Sequence, residues 1–453
     1  MRKPLKNPEL PPGAIVETYE DGGALRNDGV TLTPASKNPW YVLATVAGEQ
    51  DGASIADIDH DLHANNRRFW NGWMCQGMEE GERAALAETL GLSEKALAPL
   101  SAEEMKAVKA RFKKAFPQSA PEKMIPAVNE MADFRLVYFL NTCVLAKCYF
   151  ARRALFHQAN FIRGADFHGA HFLLGGSFSG AYFTGFTSFS KARFTGRAGF
   201  QETYFAEFAW FTEVQFNAIA EFQRSRFIGL VYFKETRFER GADFSDGSFK
   251  TRTLFEKAEF KGTVPEFFHR EMHQNTNFTD DPKLWPNVTA ENAKQGKRAY
   301  TRLRQVAAEI YDPDLEHFFL RQEMKCKEAL AGRFEKGLFV LYRKFADSGI
   351  SVARPAAALA VLWALGAAMF AGYFLAPMGH DVPDTVAASP GWSGIGLSFA
   401  NVLAFLGLSR AFFTEVLAAL PISLKYFAGL QTIFGAVFFF LLALGLRNRF
   451  RLK

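Results

Sequence analysis

The stretch "DIDHDLH" places Asp57, Asp59, His60, Asp61 and His63 within seven residues, a density of carboxylates and imidazoles that could hold a metal ion. A protein metal site needs ligands that converge at fixed spacing, usually from two segments. Here the candidates alternate with Ile58 and Leu62, and no partner cluster follows elsewhere, so the stretch predicts the solvated start of a helix. A second candidate, "EFFHREMHQN", sets His269 and His273 four apart with Glu271 between them. A zinc hydrolase of the HExxH kind needs its base directly after the first ligand. The pattern therefore predicts a surface pair of histidines on one face of a helix, with no metal and no cofactor. The cysteines Cys75, Cys143, Cys148 and Cys326 form no CxxC pair, which fits a reducing compartment. No nucleophile stands at a recognisable spacing from a base, and no glycine loop is built to cradle phosphate, so no enzyme activity is expected.

The elements that would position any site are set by phenylalanine, which occurs 48 times in 453 residues. In "ADFHGAHFLLGGSFSGAYF" it returns at spacings of five, six and five, which suits neither an amphipathic helix nor one alternating strand. Two interleaved series explain it, each with a period of 11. One runs Phe156, Phe167, Phe178, Phe189, Phe200, Phe211, Phe222, Phe233, Phe244 and Phe255. The other runs Phe161, Phe172, Phe183, Phe194, Phe205, Phe216, Phe227, Phe238, Phe249 and Phe260. Upstream positions Phe134, Leu145, Phe139 and Phe150 extend both, and 23 of the 24 positions are Phe. Two residues before each stands a small or β-branched side chain, such as Ala165, Ala170, Gly176, Ala181, Thr187 and Ala192. Residues i and i−2 point to one side of an extended segment, so each short segment turns a large and a small side chain inward. Fixed-period repetition of this kind marks a solenoid.

Residues 132 to 262 resemble the pentapeptide-repeat family, whose units read A(D/N)LXX with Leu or Phe at the centre; "ANFIR", "ADFHG" and "ADFSD" fit directly. The resemblance implies a right-handed quadrilateral β-helix with about one repeat per face. Alternating spacings of five and six give 22 residues per coil where a strict pentapeptide repeat gives 20, which predicts an irregular corner at every second face. Six coils rising about 4.8 Å each would make a rod roughly 28 Å tall. Phenylalanine is there to fill the shaft, each buried ring stabilising by roughly 1.5 to 3 kcal/mol before chain entropy offsets most of it. Pro265 breaks the register and is expected to begin the C-terminal cap.

The chain is thus expected to divide into a disordered N-terminus (1–35), a mostly helical cap domain (36–131), the pentapeptide-repeat β-helix (132–264), a helical connector (265–354) and a transmembrane domain (355–453). The polar, proline-rich start carries no apolar segment after its basic residues, so no cleavable signal peptide is expected. "NPWYVLATVAG" reads as a strand, followed by "DLHANNRRFWNGWM" and helical patterns near 80–92 and 101–115. "NPWYVLATVAGEQ" and "NRRFWNGWM" resemble the leader of bacterial membrane-linked pentapeptide-repeat proteins. Phe69, Trp70 and Trp73 are expected to close the open end of the solenoid, which would otherwise expose an unpaired edge. In the connector, "YDPD" joins two helices, and Lys294, Lys297, Arg298, Arg302 and Arg304 give the first a basic face, expected to be solvated or, alternatively, to sit on an anionic leaflet.

Residues 356–376 and 426–446 contain no charge, and each run of 21 is long enough to cross a bilayer core of about 30 Å. Arg333, Lys336, Arg343, Lys344 and Arg354 precede the first; Arg447, Arg449, Arg451 and Lys453 follow the second. The positive-inside rule then predicts an inner-membrane protein with two spans and both termini in the cytoplasm. A 14-residue apolar run, 395–408, is too short to cross and is expected to be re-entrant. Span, short segment, span resembles in layout the two-helix pore domain of tetrameric cation channels. A potassium-type filter needs a TVGYG-like run of carbonyls, and nothing between Ser409 and Ser423 supplies one. Asn401 and Arg410 mark the region where a pore would pass, although a buried Arg410 would oppose cations. Ala364, Ala368 and Gly372 form a small-residue stripe suited to close packing within or between subunits.

Function is expected to be that of a membrane-anchored interaction scaffold, contacting lipid and an unidentified protein, with homo-oligomers formed through the spans. The alternative is a channel-like protein whose solenoid regulates the pore. Some pentapeptide-repeat proteins mimic DNA with an acidic rod. Residues 132–262 carry 17 Lys and Arg against 12 Asp and Glu, which excludes that role, and no basic stripe points to nucleic acid.

Overall fold

The computed structural model describes residues 12–20, 22–52, 54–376, 383, 386 and 388–450. They divide into two compact units, Met1–Phe319 and Leu320–Lys453.

The first unit is built on a four-sided β-solenoid of about six turns. Each coil passes through four sheets, and every strand pairs in parallel with the strand 22 residues on, as in Ala165↔Thr187 and Phe172↔Phe194. The two phenylalanine series fill the shaft. Rings 22 residues apart stack, as Phe161 and Phe183 do at 4.5 Å and 4°. Neighbouring rings of the first series meet edge to face, as Phe156 and Phe167 do at 5.5 Å and 80°. Both arrangements suit the aromatic quadrupole.

Corners alternate between two forms, which accounts for the five-six spacing. Two residues after each first-series phenylalanine the backbone is left-handed, through Gln158 (φ 55°), Gly169 (63°), Gly180 (65°), Lys191 (60°) and onward to Asp246 and Lys257. The turn closes when Ala159 N–H donates to the Phe156 carbonyl at 3.2 Å, while Gln158 N–H reaches the next coil at Ser179 O, 2.9 Å. The wider corners bring backbones into close approach. A Cβ on Gly196 would lie 2.4 Å from the Leu174 carbonyl carbon.

Both ends of the solenoid are closed. Residues 12–34, assigned to the unstructured leader on composition, form strands Ile15–Thr18, Ala24–Arg26 and Thr31–Pro34. The third pairs in parallel with Val137–Phe139 and extends one solenoid sheet to nine strands. Residues 1–11 lie outside the described residues. "NPWYVLATVAG" is a helix over Pro39–Ala44 rather than a strand, because the Asn38 side chain caps Tyr41 N–H at 3.1 Å and Pro39 favours the first helical position. Asp59 caps the next helix, His60–Met74, which carries Trp70 onto Phe134 and Phe150. Helices Glu80–Leu90 and Ala102–Ala115 complete the cap.

At the other end the solenoid outruns the expected boundary at Pro265. Glu266, Glu271 and Asn277 bridge to the preceding coil, and Phe267 and Phe278 stack on Phe244 and Phe255. One inserted residue lengthens the step from Phe255 to Phe267 to 12, and the 11-residue step then resumes. His269 and His273 therefore sit on a coil, with His269 at a left-handed corner (φ 54°), and not on a helix face. The end is plugged by Trp285, which packs on Phe260, and by Tyr300, Phe318 and Phe319 around it. The helix Ala293–Glu309 supplies Tyr300.

The second unit contains two helices long and apolar enough to cross a membrane, Ala353–Leu375 and Ile422–Arg449. A shorter helix, Pro390–Val402, packs with both, and a 3-10 turn, Ala404–Leu406, follows it. This helix begins five residues before the apolar run 395–408, because Pro390 is preset for a first turn. The amphipathic helix Arg333–Ala346 precedes the first long helix.

Candidate functional site

The "DIDHDLH" residues are divided between solvent and core. His63 is not solvated: it is buried, with its Nε2 2.9 Å from the Ala146 carbonyl of the first coils. Burial drives its pKa down to about 4, so the imidazole is neutral. His269 reaches Asp246 at 3.5 Å, while His273 Nδ1 accepts from Asn275 N–H at 3.1 Å. Among the described residues no group of His, Cys, Asp or Glu is placed to hold a metal ion. All four cysteines are buried and unbridged. Burial pushes the Cys75 and Cys148 thiols up to about 12, which keeps them in the unreactive form.

Every phenylalanine of the two series from Phe156 to Phe260 is at most 1% exposed. None is free to meet a ligand. Within the last coil Arg270 shares this core, its guanidinium 4.4 Å over the Phe249 ring. Its Nη2 donates to Phe222 O and Ser225 Oγ, both at 2.9 Å, and its Nε donates to Phe244 O. Burial lowers its pKa to about 9. The role is structural, since the guanidinium ties the carbonyls of Phe222 and Phe244 from two successive coils.

The outer faces differ in chemistry. One carries a polar ladder from His157 through Ser177, Ser179 and Gln201 to Glu221, each linked to the next coil or its own. The face two corners away carries aromatic side chains pointing out. Phe208 and Trp210 are 45% and 42% exposed, Phe186 packs edge-on to Trp210 at 4.7 Å, and Tyr232 meets Trp210 at 6.1 Å. These rings are off the core register yet repeat at 22, Phe186 to Phe208 and Trp210 to Tyr232. That spacing is the signal in the sequence that could have separated them from the core stripe. Elsewhere the faces are laced by coil-to-coil ion pairs such as Arg224–Glu202 at 2.7 Å.

In the second unit a polar knot ties three helices. Ser398 Oγ donates to Trp363 O at 2.7 Å, Gln431 Nε2 donates to Ser398 Oγ at 2.7 Å and to Leu362 O at 3.1 Å, and Asn401 Nδ2 donates to Gln431 Oε1 at 3.4 Å. All three side chains are buried. Gly366 makes room for them, since a Cβ there would lie 2.1 Å from Gln431 Nε2. Asn401 is thus engaged inside the helix packing, whereas Arg410 is exposed. Ala364, Ala368 and Gly372 face outward within this unit, and the close helix contacts are made instead at Gly366, Gly394 and Gly435. Neither Ser398 nor Gln431 carries a charge that would mark it within an apolar stretch.

Residues 178–226 match the family profile described as pentapeptide repeats (9 copies). No curated protein and no solved structure matches the chain. The 22-residue coil, the inward phenylalanines and this match agree, and the solenoid of the first unit is a pentapeptide-repeat domain.

Proposed function

We propose that the chain is a membrane-anchored scaffold whose solenoid presents a protein-binding face in the cytoplasm. The observation that carries this reading is the cluster of outward aromatic side chains Phe186, Phe208, Trp210 and Tyr232, opposite a face that carries a polar ladder. Aromatic side chains are enriched at the energetic centres of interfaces, and contiguous exposed apolar surface marks a binding site. Stacked repeats make the surface rigid, so little ordering entropy opposes capture. The basic residues outside both long helices support cytoplasmic termini. The outward stripe of Ala364, Ala368 and Gly372 would let a second copy approach closely in the bilayer. The test compares proteins retained by the full-length chain with those retained by the Phe208→Ala/Trp210→Ala double variant; the scaffold reading expects the variant to lose them.

A second reading is a channel-like unit regulated by the solenoid. What favours it is the short helix Pro390–Val402 between two long apolar ones, with buried polar side chains at Ser398, Asn401 and Gln431. Polar groups at membrane depth often line pathways. Ion flux through the full-length protein in liposomes, with the chain truncated before residue 355 as control, tests it. Protein-dependent conductance would support the pore.

A further inference from the structure

The helix Arg333–Ala346 carries an apolar stripe, Phe334, Leu338, Leu341 and Phe345, at spacings of four, three and four. That spacing puts the four side chains along one face of a helix. Only the last is packed: the Phe345 ring lies 5.1 Å from Phe438 of the second long helix. Phe334, Leu338 and Leu341 are 80%, 53% and 51% exposed.

The turn after this helix fixes its level against the long helices. Asn448 Nδ2 donates to the Gly349 carbonyl at 2.8 Å, and a Cβ on Gly445 would lie 2.7 Å from Ser351 O. Residues 445–448 are the basic end of the second long helix, beside Arg447 and Arg449. The C-terminal end of Arg333–Ala346 therefore lies at the level where apolar surface gives way to charge. Its stripe is continuous, through Phe345 and Phe438, with the exposed flank of Phe434 and Val437. Lys336 and Arg343 stand on the opposite side, and Arg343 is held by Glu328 at 3.1 Å.

We infer that Arg333–Ala346 is an interfacial helix lying in the inner leaflet, its stripe in the acyl boundary and its basic side in the headgroups and water. This rests on reading Ala353–Leu375 and Ile422–Arg449 as membrane spans. Such a helix settles roughly 5–10 Å into the headgroup and acyl boundary. Arg333, Lys336 and Lys344 would draw it to anionic lipid.

The test uses the full-length protein in nanodiscs of phosphatidylglycerol and phosphatidylethanolamine. Because the native cysteines are buried, a nitroxide reagent will label an introduced one. Leu338→Cys and Leu341→Cys report the stripe, Lys336→Cys the opposite side, and Ile433→Cys the exposed flank of the second span. Oxygen partitions into lipid and a nickel chelate stays in water, so their relaxation effects give depth. The expected result is oxygen access with chelate protection at 338, 341 and 433, and the reverse at 336. Chelate access at 338 and 341 with lipid exposure at 433 overturns the interfacial helix alone. Chelate access at 433 as well overturns the span reading. Protection of 338 and 341 from both agents, with or without spin coupling between copies, overturns the lipid assignment in favour of a protein cover.

Discussion

Asn71 substitutes for a missing coil at Tyr149: its side-chain oxygen accepts the Tyr149 N–H at 2.8 Å, and its amide donates to the Lys147 carbonyl at 3.1 Å. In every later coil the corresponding N–H is met by the neighbouring coil, as His171 N–H is by the Cys148 carbonyl at 3.0 Å. The Trp70 indole N–H meets the Tyr149 carbonyl at 2.8 Å in the same manner. The cap helix thus closes a sheet edge with side chains, which blunts strand addition at that end.

Asn71→Leu should therefore leave the Tyr149 N–H buried and unpaired, at a cost of about 1–3 kcal/mol. Hydrogen exchange of the full-length protein would show faster exchange at Tyr149 and the first coil, with the coils around Phe216 unchanged.

Inward and outward phenylalanines separate by energy. Phe200→Ala removes a fully buried ring and should cost about 3–5 kcal/mol. Phe208→Ala, on the exposed face, should stay within about 0.5 kcal/mol. Thermal unfolding of the two variants checks the difference; equal losses would mean the outer ring is packed.

Acid should loosen the cap. His63 is held neutral by burial, with its pKa lowered from 6.5 to about 4. The unfolded chain then binds the proton first as pH falls, so stability is intact above 6.5 and declines between 6.5 and about 4. The loss is on the order of 3 kcal/mol. His63→Gln should flatten that part of the pH profile.

In the second unit Gly366→Val should be more damaging than Gln431→Leu. Valine would drive into the Gln431 amide and the Ser398 hydroxyl, while Leu only removes hydrogen bonds worth roughly 0.5–1.5 kcal/mol each. Heat stability in detergent gives the order.

The shaft was legible because a side chain inside a solenoid has neighbours at a fixed sequence interval, so the packing rule is written 11 residues apart from Phe156 to Phe260. The two apolar helices were legible because each is a long run without charge. Asn71 was not, since its partners are backbone atoms about 78 residues away and leave no pattern. Trp40 and Tyr41 read as a strand on their aromatic and β-branched neighbours, and a single cap at Asn38 decided for helix. Pro265 looked like a stop because the register slipped; only stacking of Phe267 on Phe244 shows that the coil resumes. The outward rings at Phe208 and Trp210 were hidden among core phenylalanines, since composition does not record which side of a strand a residue faces.

Site-specific photocrosslinking tests the scaffold most directly. A benzoylphenylalanine replaces Phe208 on the aromatic face or Glu221 on the polar face of the full-length protein, and the cells are irradiated. A discrete protein adduct is expected from position 208 and none from 221. An adduct from 221 alone, or silence at 208 in a correctly folded and membrane-inserted chain, would contradict the scaffold reading.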